Sequence, residues 1–169
     1  MAQDPNNYWE QLERLEKLIK NSELKAGVVF SFHSLILGLF IDRLDEFKDV
    51  LAADIFLLIV TICWIVLVSV SVFYCFRCFK PAMEMDYDRN VFFFKDVIHR
   101  FENVEDFAKE IIKVCGSKDE LYQSLAEQIH AESKIIDAKF KNVQRSILFF
   151  TISVLFVFIF AFYMAIFVK

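Results

Sequence analysis

Glycine is scarce, with three in 169 residues, and a Gly-rich loop that cradles phosphate is excluded with it. No nucleophile elbow occurs either, nor any paired metal-ligand motif. The chain is therefore not expected to be an enzyme, and no cofactor or metal is expected. Cysteine is sparse as well, four in all. Cys63 and Cys75 fall in an apolar run, while Cys78 and Cys115 are expected to face a reducing compartment, so no disulfide framework follows. Cys75-Phe-Arg-Cys78 has the spacing of half a zinc site, but no second pair accompanies it, and His99 and His130 have no matching spacing. Positive charge is not in excess: the formal net charge is −4, which argues against a nucleic-acid polymer as partner.

What is abundant is apolar surface. Hydrophobic residues make up 57% of the chain and Phe alone supplies 21 positions, more than a water-soluble domain needs. Residues 147–168 (ILFFTISVLFVFIFAFYMAIFV) carry no charge, Pro or Gly, and sixteen of them are Ile, Leu, Val or Phe. Their summed contribution to insertion is on the order of −7 kcal/mol. Residues 55–76 hold fifteen such residues, and 26–41 hold ten with His33, Ser31 and Ser34 among them. A cleaved signal peptide is rejected for this first run, because an acidic and polar segment precedes it. The expected fold is all-α: an integral membrane protein with three transmembrane helices and a small helical cytoplasmic domain, the third span continuing a long cytoplasmic helix. Its parts are expected at 1–25 (cytoplasmic amphipathic helix), 26–76 (transmembrane hairpin with a short acidic loop), 77–146 (cytoplasmic helical sensor) and 147–169 (third span).

Lysines and arginines flank the spans asymmetrically. Lys17, Lys20 and Lys25 precede the first, Arg77 and Lys80 follow the second, and Lys134, Lys139, Lys141 and Arg145 precede the third. The N-terminus and residues 77–146 are thus expected in the cytoplasm. Tyr8, Trp9, Leu12, Leu15, Leu18 and Ile19 recur at helical spacing behind the Asp4-Pro5 start, and this helix is expected to pack on the cytoplasmic part. Pro81 is expected to end the second span. The run Phe92-Phe93-Phe94 suits a short extended segment or a packed turn. After it come an N-cap at Asn103, a helix with Val104, Phe107, Ala108, Ile111 and Ile112 on one face, a stop at Gly116 and a capping box at Ser117 and Glu120. From Lys118 onward nothing interrupts the helix, and Leu121, Leu125, Ile129, Ile136, Phe140 and Val143 form its stripe.

In the first span His33 faces either a bundle interior or water path, or a neighbouring Ser or backbone group. Ser34-x-x-x-Gly38 permits close helix contact, and Ala161 with Ala165 offers another such seam. On the cytoplasmic side, Arg89, Asn90, Lys95, Asp96 and Arg100 surround Phe92 to Phe94, and Gln128, Ser133, Lys134 and Lys139 lie on the long helix. Cations and amide donors suit phosphate, and aromatic faces suit a base; a solvated face and an aromatic core are the alternative.

Ser22-Glu23-Leu24-Lys25-Ala26, Asn90-Val91-Phe92-Phe93-Phe94-Lys95-Asp96-Val97, and Gln128-Ile129 with Ser133-Lys134-Ile135 and Lys139 resemble the bacterial Pycsar transmembrane effector family, over nearly the whole chain from about residue 10. Glu23 stands where that family usually has Asp. The resemblance implies an anti-phage effector in the bacterial inner membrane that senses a cyclic pyrimidine nucleotide, cyclic CMP or cyclic UMP, and impairs the bilayer. By position it implies Lys25, Arg89, Asn90, Phe94, Asp96, Gln128, Ser133 and Lys139 as ligand-binding candidates; Lys25 pairing with Asp96 or Glu132 is the structural alternative. Three spans do not enclose a pore alone, so a homo-oligomer is expected. A constitutive membrane-anchored interaction protein and a holin-like permeabilising protein are the rival readings.

Overall fold

A computed structural model describes residues 4–80 and 89–167; Pro81 lies outside the described residues. Among the described residues every regular element is helical: α1 (Asn6–Asp42), α2 (Leu44–Ala53), α3 (Ile55–Phe79), α4 (Phe94–His99), α5 (Val104–Gly116) and α6 (Lys118–Phe167). Three of them, α1, α3 and α6, are long and apolar enough to cross a membrane.

Local sequence explains most boundaries. The Asp4 carboxylate accepts from Asn6 N at 3.0 Å and opens α1, as a short acceptor ahead of a first turn should. Asp54 does the same for α3, accepting from Phe56 N and Leu57 N. Asn103 caps α5 through Asp106 N at 2.8 Å. Only half of the capping box forms: Glu120 N reaches Ser117 Oγ at 3.4 Å, while Ser117 N donates to the Val114 carbonyl. Gly116 belongs to the last turn of α5, and the stop is an extended Ser117 with no left-handed glycine. The expected loop between the first two spans is mostly helix α2. Leu44, Phe47, Val50 and Leu51 recur at helical spacing, and Asp45 with Glu46 sits in the first turn, where acidic groups favour a helix start.

The chain divides into two compact units, one of Met1–Lys20 and Pro81–Ala138, the other of Asn21–Lys80 and Lys139–Lys169. Both α1 and α6 contribute to each. In the first, polar unit, the N-terminal part of α1 packs on the rest as expected: Trp9 meets Phe92 edge-on at 5.3 Å and Tyr8 meets Tyr122 at 5.3 Å. Val91, Phe101 and Val114 form a buried cluster with Phe92, Phe107 and Ile111 against it. The face of α5 that turns inward is therefore Phe107, Ile111 and Val114. Val104 is 82% exposed and Ile112 72% exposed, because a 3.6-residue period divides the expected five-residue face between core and surface.

In the second, apolar unit, Ala26 and Val29 of α1, Cys75 and Cys78 of α3 and Val143 of α6 form the buried cluster. Small side chains there let the helices approach closely, as packing in lipid requires. An aromatic cluster, Phe40 with Phe47, Trp64 and Phe160, lies where α1 leads into α2. Gly38 has nothing within 4 Å of the position of a Cβ, and Ser34, Ala161 and Ala165 are exposed. Among the described residues, neither small-residue seam is packed against another helix.

Candidate functional site

In the polar unit the Asn90–Phe94 stretch is a turn, held by one side chain. Asn90 is buried and uses every polar atom it has. Its Oδ1 accepts from Phe92 N at 2.9 Å, its Nδ2 donates to the Ser124 carbonyl at 2.8 Å and to Glu127 Oε2 at 3.3 Å, and its own N–H donates to Asp96 Oδ2 at 3.0 Å. An Asn side chain that bonds two residues ahead is the local chemistry of an Asx turn. The Phe93 N–H closes the turn on the Asn90 carbonyl at 3.2 Å. Asp96, buried in the first turn of α4, receives Arg100 Nε on its other oxygen at 3.3 Å. The consequence is directional: Val91 and Phe93 point inward, and Phe94 is left 63% exposed. Arg89 lies beside this turn, donating to Asp106 at 2.9 Å, 3.6 Å from Glu110, with its guanidinium 4.7 Å over the Phe101 ring.

On α6, Gln128 is buried and its amide donates to Glu132 Oε1 at 2.8 Å. The other carboxylate oxygen, Glu132 Oε2, is buried without a hydrogen-bond partner. Burial pushes the Glu132 carboxyl above the ordinary carboxylate range; the Gln128 amide opposes this, and the charge of Glu16 adds to the rise. An amide beside a carboxyl with a spare oxygen can offer both donor and acceptor to a planar amide-like edge. One turn on, Ser133 is exposed and its hydroxyl donates to the Ile129 carbonyl of its own helix at 2.7 Å.

The remaining two candidates belong to the apolar unit. Lys139 is only 5% exposed, and its ammonium donates to Glu23 Oε1 at 2.7 Å and to the Cys78 carbonyl at 2.6 Å. That carbonyl is among the last four of α3, which lack intrahelical donors, so a cation is favoured there twice over, by charge and by hydrogen bonding. Asn142 Nδ2 serves the Arg77 carbonyl at 3.4 Å. Further along, Ser71 Oγ donates to the Ser146 carbonyl at 2.8 Å, and Ser146 Oγ sits 2.9 Å from Cys75 Sγ. Lys25 is exposed. Asp96 and Glu132 take the partners named above.

The sequence candidates thus fall in separate places. Asn90 and Asp96 belong to one turn network with Phe94 displayed beside it, Arg89 pairs with Asp106 and Glu110, Gln128 pairs with Glu132, and Lys139 pairs with Glu23. Sequence reasoning missed Glu127 as a partner of Asn90, Glu132 as the partner of Gln128, and the Ser71–Ser146 step. A signal existed for the last: Ser71, Cys75 and Cys78 run at spacings of four and three against Lys139, Asn142 and Ser146 at three and four, the pattern of two facing helices. His33 is 1% exposed with its ring edge-on to Phe150 at 5.0 Å and its Nε2 unpartnered. Ser31 and Ser34 turn to the Gly27 and Phe30 carbonyls, so neither serves it.

A family model described as "Pycsar effector protein domain" matches residues 7–166. Among curated proteins, the Pycsar effector protein PtPycTM of Propioniciclava tarda is 25% identical over 144 residues, covering 83% of this chain and 70% of that protein. No solved structure matches the chain.

Proposed function

We propose, since this chain belongs to the Pycsar effector family over residues 7–166, that it is an anti-phage membrane effector whose polar unit senses cyclic CMP or cyclic UMP and whose apolar unit then impairs the bacterial inner membrane. The observation that carries this is the extent of the family match, which takes in all three apolar helices together with the Asn90 turn and the Gln128–Glu132 pair. Chemistry of the right kind is present in the polar unit. Gln128 and Glu132 supply a donor and a spare acceptor for the amide-like edge of a pyrimidine. Phe94 and Trp9, both exposed, supply faces on which a base can stack. Arg89 is 40% exposed at its side chain and is the cation of the turn. Lys25, Ser133 and Lys139 complete the proposed set, Lys139 acting by seating Glu23 and the end of α3.

The orientation proposed places the N-terminus and the 77–146 segment in the cytoplasm, where a nucleotide made during infection is found. A ligand shifts a protein between two arrangements only through different affinity for them. Here the long helix α6 carries both the Gln128–Glu132 pair and the apolar stretch after residue 147, so a changed setting of one end is conveyed along continuous backbone. Self-association is part of the proposal. The exposed Phe94, Ile98, Val104 and Ile112 side chains of the polar unit are apolar groups that a second copy could cover. No reaction step is required, so the effector is proposed to be non-enzymatic.

Titrating the detergent-purified full chain with cyclic CMP and cyclic UMP tests the sensing step. Saturable binding of one of them, weakened about tenfold by Glu132→Ala through the loss of a charged hydrogen-bond acceptor, is expected. No binding of either at high micromolar concentration rejects it. Cells expressing the chain without nucleotide should keep their membrane potential; depolarisation there indicates a holin-like protein instead.

A further inference from the structure

In the apolar unit, where α1 leads into α2, a cavity of about 380 Å³ opens between α1, α2, α3 and α6. Its size is within the range of small-ligand pockets, about 300–1,000 Å³. Phe40, Val60, Trp64, Val157 and Phe160 supply much of its wall. Two features are out of place in a wall of that kind. Thr61 lines the cavity, is 7% exposed, and its hydroxyl has no hydrogen-bond partner, although a helical Thr ordinarily bonds the carbonyl one turn back. Arg43 also lines it, at the end of the first span.

Water is a poor occupant, because an ordered water needs two to four polar partners and the wall offers only Arg43, the orphan Thr61 hydroxyl being itself covered. An empty space leaves the surrounding side chains without dispersion contacts. The surroundings of α1, α3 and α6 supply a better occupant, an acyl chain, whose ester carbonyl can accept from the Thr61 hydroxyl once it turns from its buried position to the other of the two rotamers open to a helical Thr. The charges at Arg43 narrow the headgroup. Its Nη1 is 2.6 Å from Glu46 Oε1 and its Nε is 4.0 Å from Asp42 Oδ2, so one guanidinium stands among two carboxylates. A guanidinium has five donors, and its Nη2 side can take a phosphate oxygen, yet the local charge is net negative and repels a purely anionic lipid. A headgroup bearing a phosphate and a primary ammonium matches both signs.

We propose that this cavity is a specific site for one acyl chain of an amine-bearing zwitterionic phospholipid, with Thr61 on the ester carbonyl and Arg43, Asp42 and Glu46 on the headgroup. The proposal stands apart from nucleotide sensing and needs no ligand in the polar unit.

Trp64 reports on it directly. The chain has two tryptophans, so Trp9→Phe leaves Trp64 as the sole tryptophan, excited selectively over tyrosine, in full-length protein reconstituted into bilayers. Phosphatidylethanolamine with a brominated chain should quench Trp64 more strongly than phosphatidylglycerol with the same chain at the same mole fraction. Adding Thr61→Val, which keeps the shape and removes the hydroxyl, should weaken the preferred lipid about fivefold, the loss of one hydrogen bond. Ala161→Phe, at an exposed wall position, should fill the cavity and remove the preference. Stronger quenching by phosphatidylglycerol, or quenching that follows mole fraction alone and ignores both substitutions, overturns the proposal and leaves only ordinary surrounding lipid.

Discussion

The two units bury opposite things. In the polar unit the core is aromatic and aliphatic, Val91, Phe101 and Val114 with Phe92, Phe107 and Ile111, and of its buried polar groups Asn90 and Asp96 serve one turn while Gln128 pairs along α6. In the apolar unit the buried positions include Ser22, His33, Thr61, Ser71, Lys139, Ser146 and Ser153, while Leu35, Leu39, Ile59, Phe158 and Phe162 are exposed. The same rule produces both patterns. Water drives apolar side chains together; hydrocarbon does not, so helices within it are held by close packing and by polar contacts. The contrast sharpens around two buried side chains. Asn90 holds its own turn and ties it to α6 alone, whereas Lys139 joins α1, α3 and α6 through Glu23 and Cys78.

The contrast can be broken most severely at Lys139. Lys139→Met leaves the Glu23 carboxylate, 39% exposed at its side chain, and the buried Cys78 carbonyl without their donor, and the unsatisfied groups cost up to about 3 kcal/mol. Equilibrium unfolding in detergent should register that loss, and the double variant Glu23→Gln, Lys139→Met should regain only the part that belongs to the unpaired carboxylate, since the Cys78 carbonyl still lacks its donor. A single-variant loss of about 0–1 kcal/mol, the range of a surface pair, would mean that the ammonium is solvated and that the apolar unit does not depend on this junction.

Asn90→Ala comes next. It removes the acceptor for Phe92 N and the donors to Ser124 and Glu127, and about 2 kcal/mol of stability should go with buried groups left unsatisfied. Amide hydrogen exchange should accelerate first at Phe92 and Phe93. Unchanged exchange there would place the stability of the turn in its aromatic packing alone.

The smallest effect is expected at Glu132, and its sign is opposite. The folded carboxyl titrates above its unfolded value because it is buried, so the folded state holds the extra proton. Its penalty is present in full above the folded value and is relieved as pH falls through that value towards the ordinary carboxylate range. At neutral pH Glu132→Gln should therefore stabilise the protein, by about 1 kcal/mol, the scale of one unsatisfied buried group. The difference between variant and parent should shrink on acidification from pH 7 towards 5. A difference that stays constant with pH would show that the Glu132 carboxylate is hydrated.

Periodicity and composition made much of this architecture legible. An uninterrupted 147–168 stretch reads as a span, Leu125, Ile136 and Val143 fall inside as their stripe predicts, and Asn103 caps because its side chain acts within its own first turn. Short segments were harder. Residues 42–54 look like an acidic loop when charge alone is weighed, yet Leu44, Phe47 and Leu51 share a helical face. Val104 and Ile112 look like core because a five-residue apolar face is wider than the contact available to α5. Among the candidate residues, type and rough location were readable, but partners were not: Asn90 finds Ser124 34 positions away, and Lys139 finds Glu23 across 116.

From the sequence alone come the three apolar stretches, the long uninterrupted α6, the cap at Asn103, and the absence of loop motifs for phosphate or metal, because each depends on neighbours within a turn or two or on the sum of transfer free energies. Only the tertiary structure decided that Lys139 seats a helix end, that Glu132 keeps one oxygen unpaired, and that a cavity opens beside Thr61. Those outcomes depend on which helix faces meet, and side chains far apart in sequence settle that together.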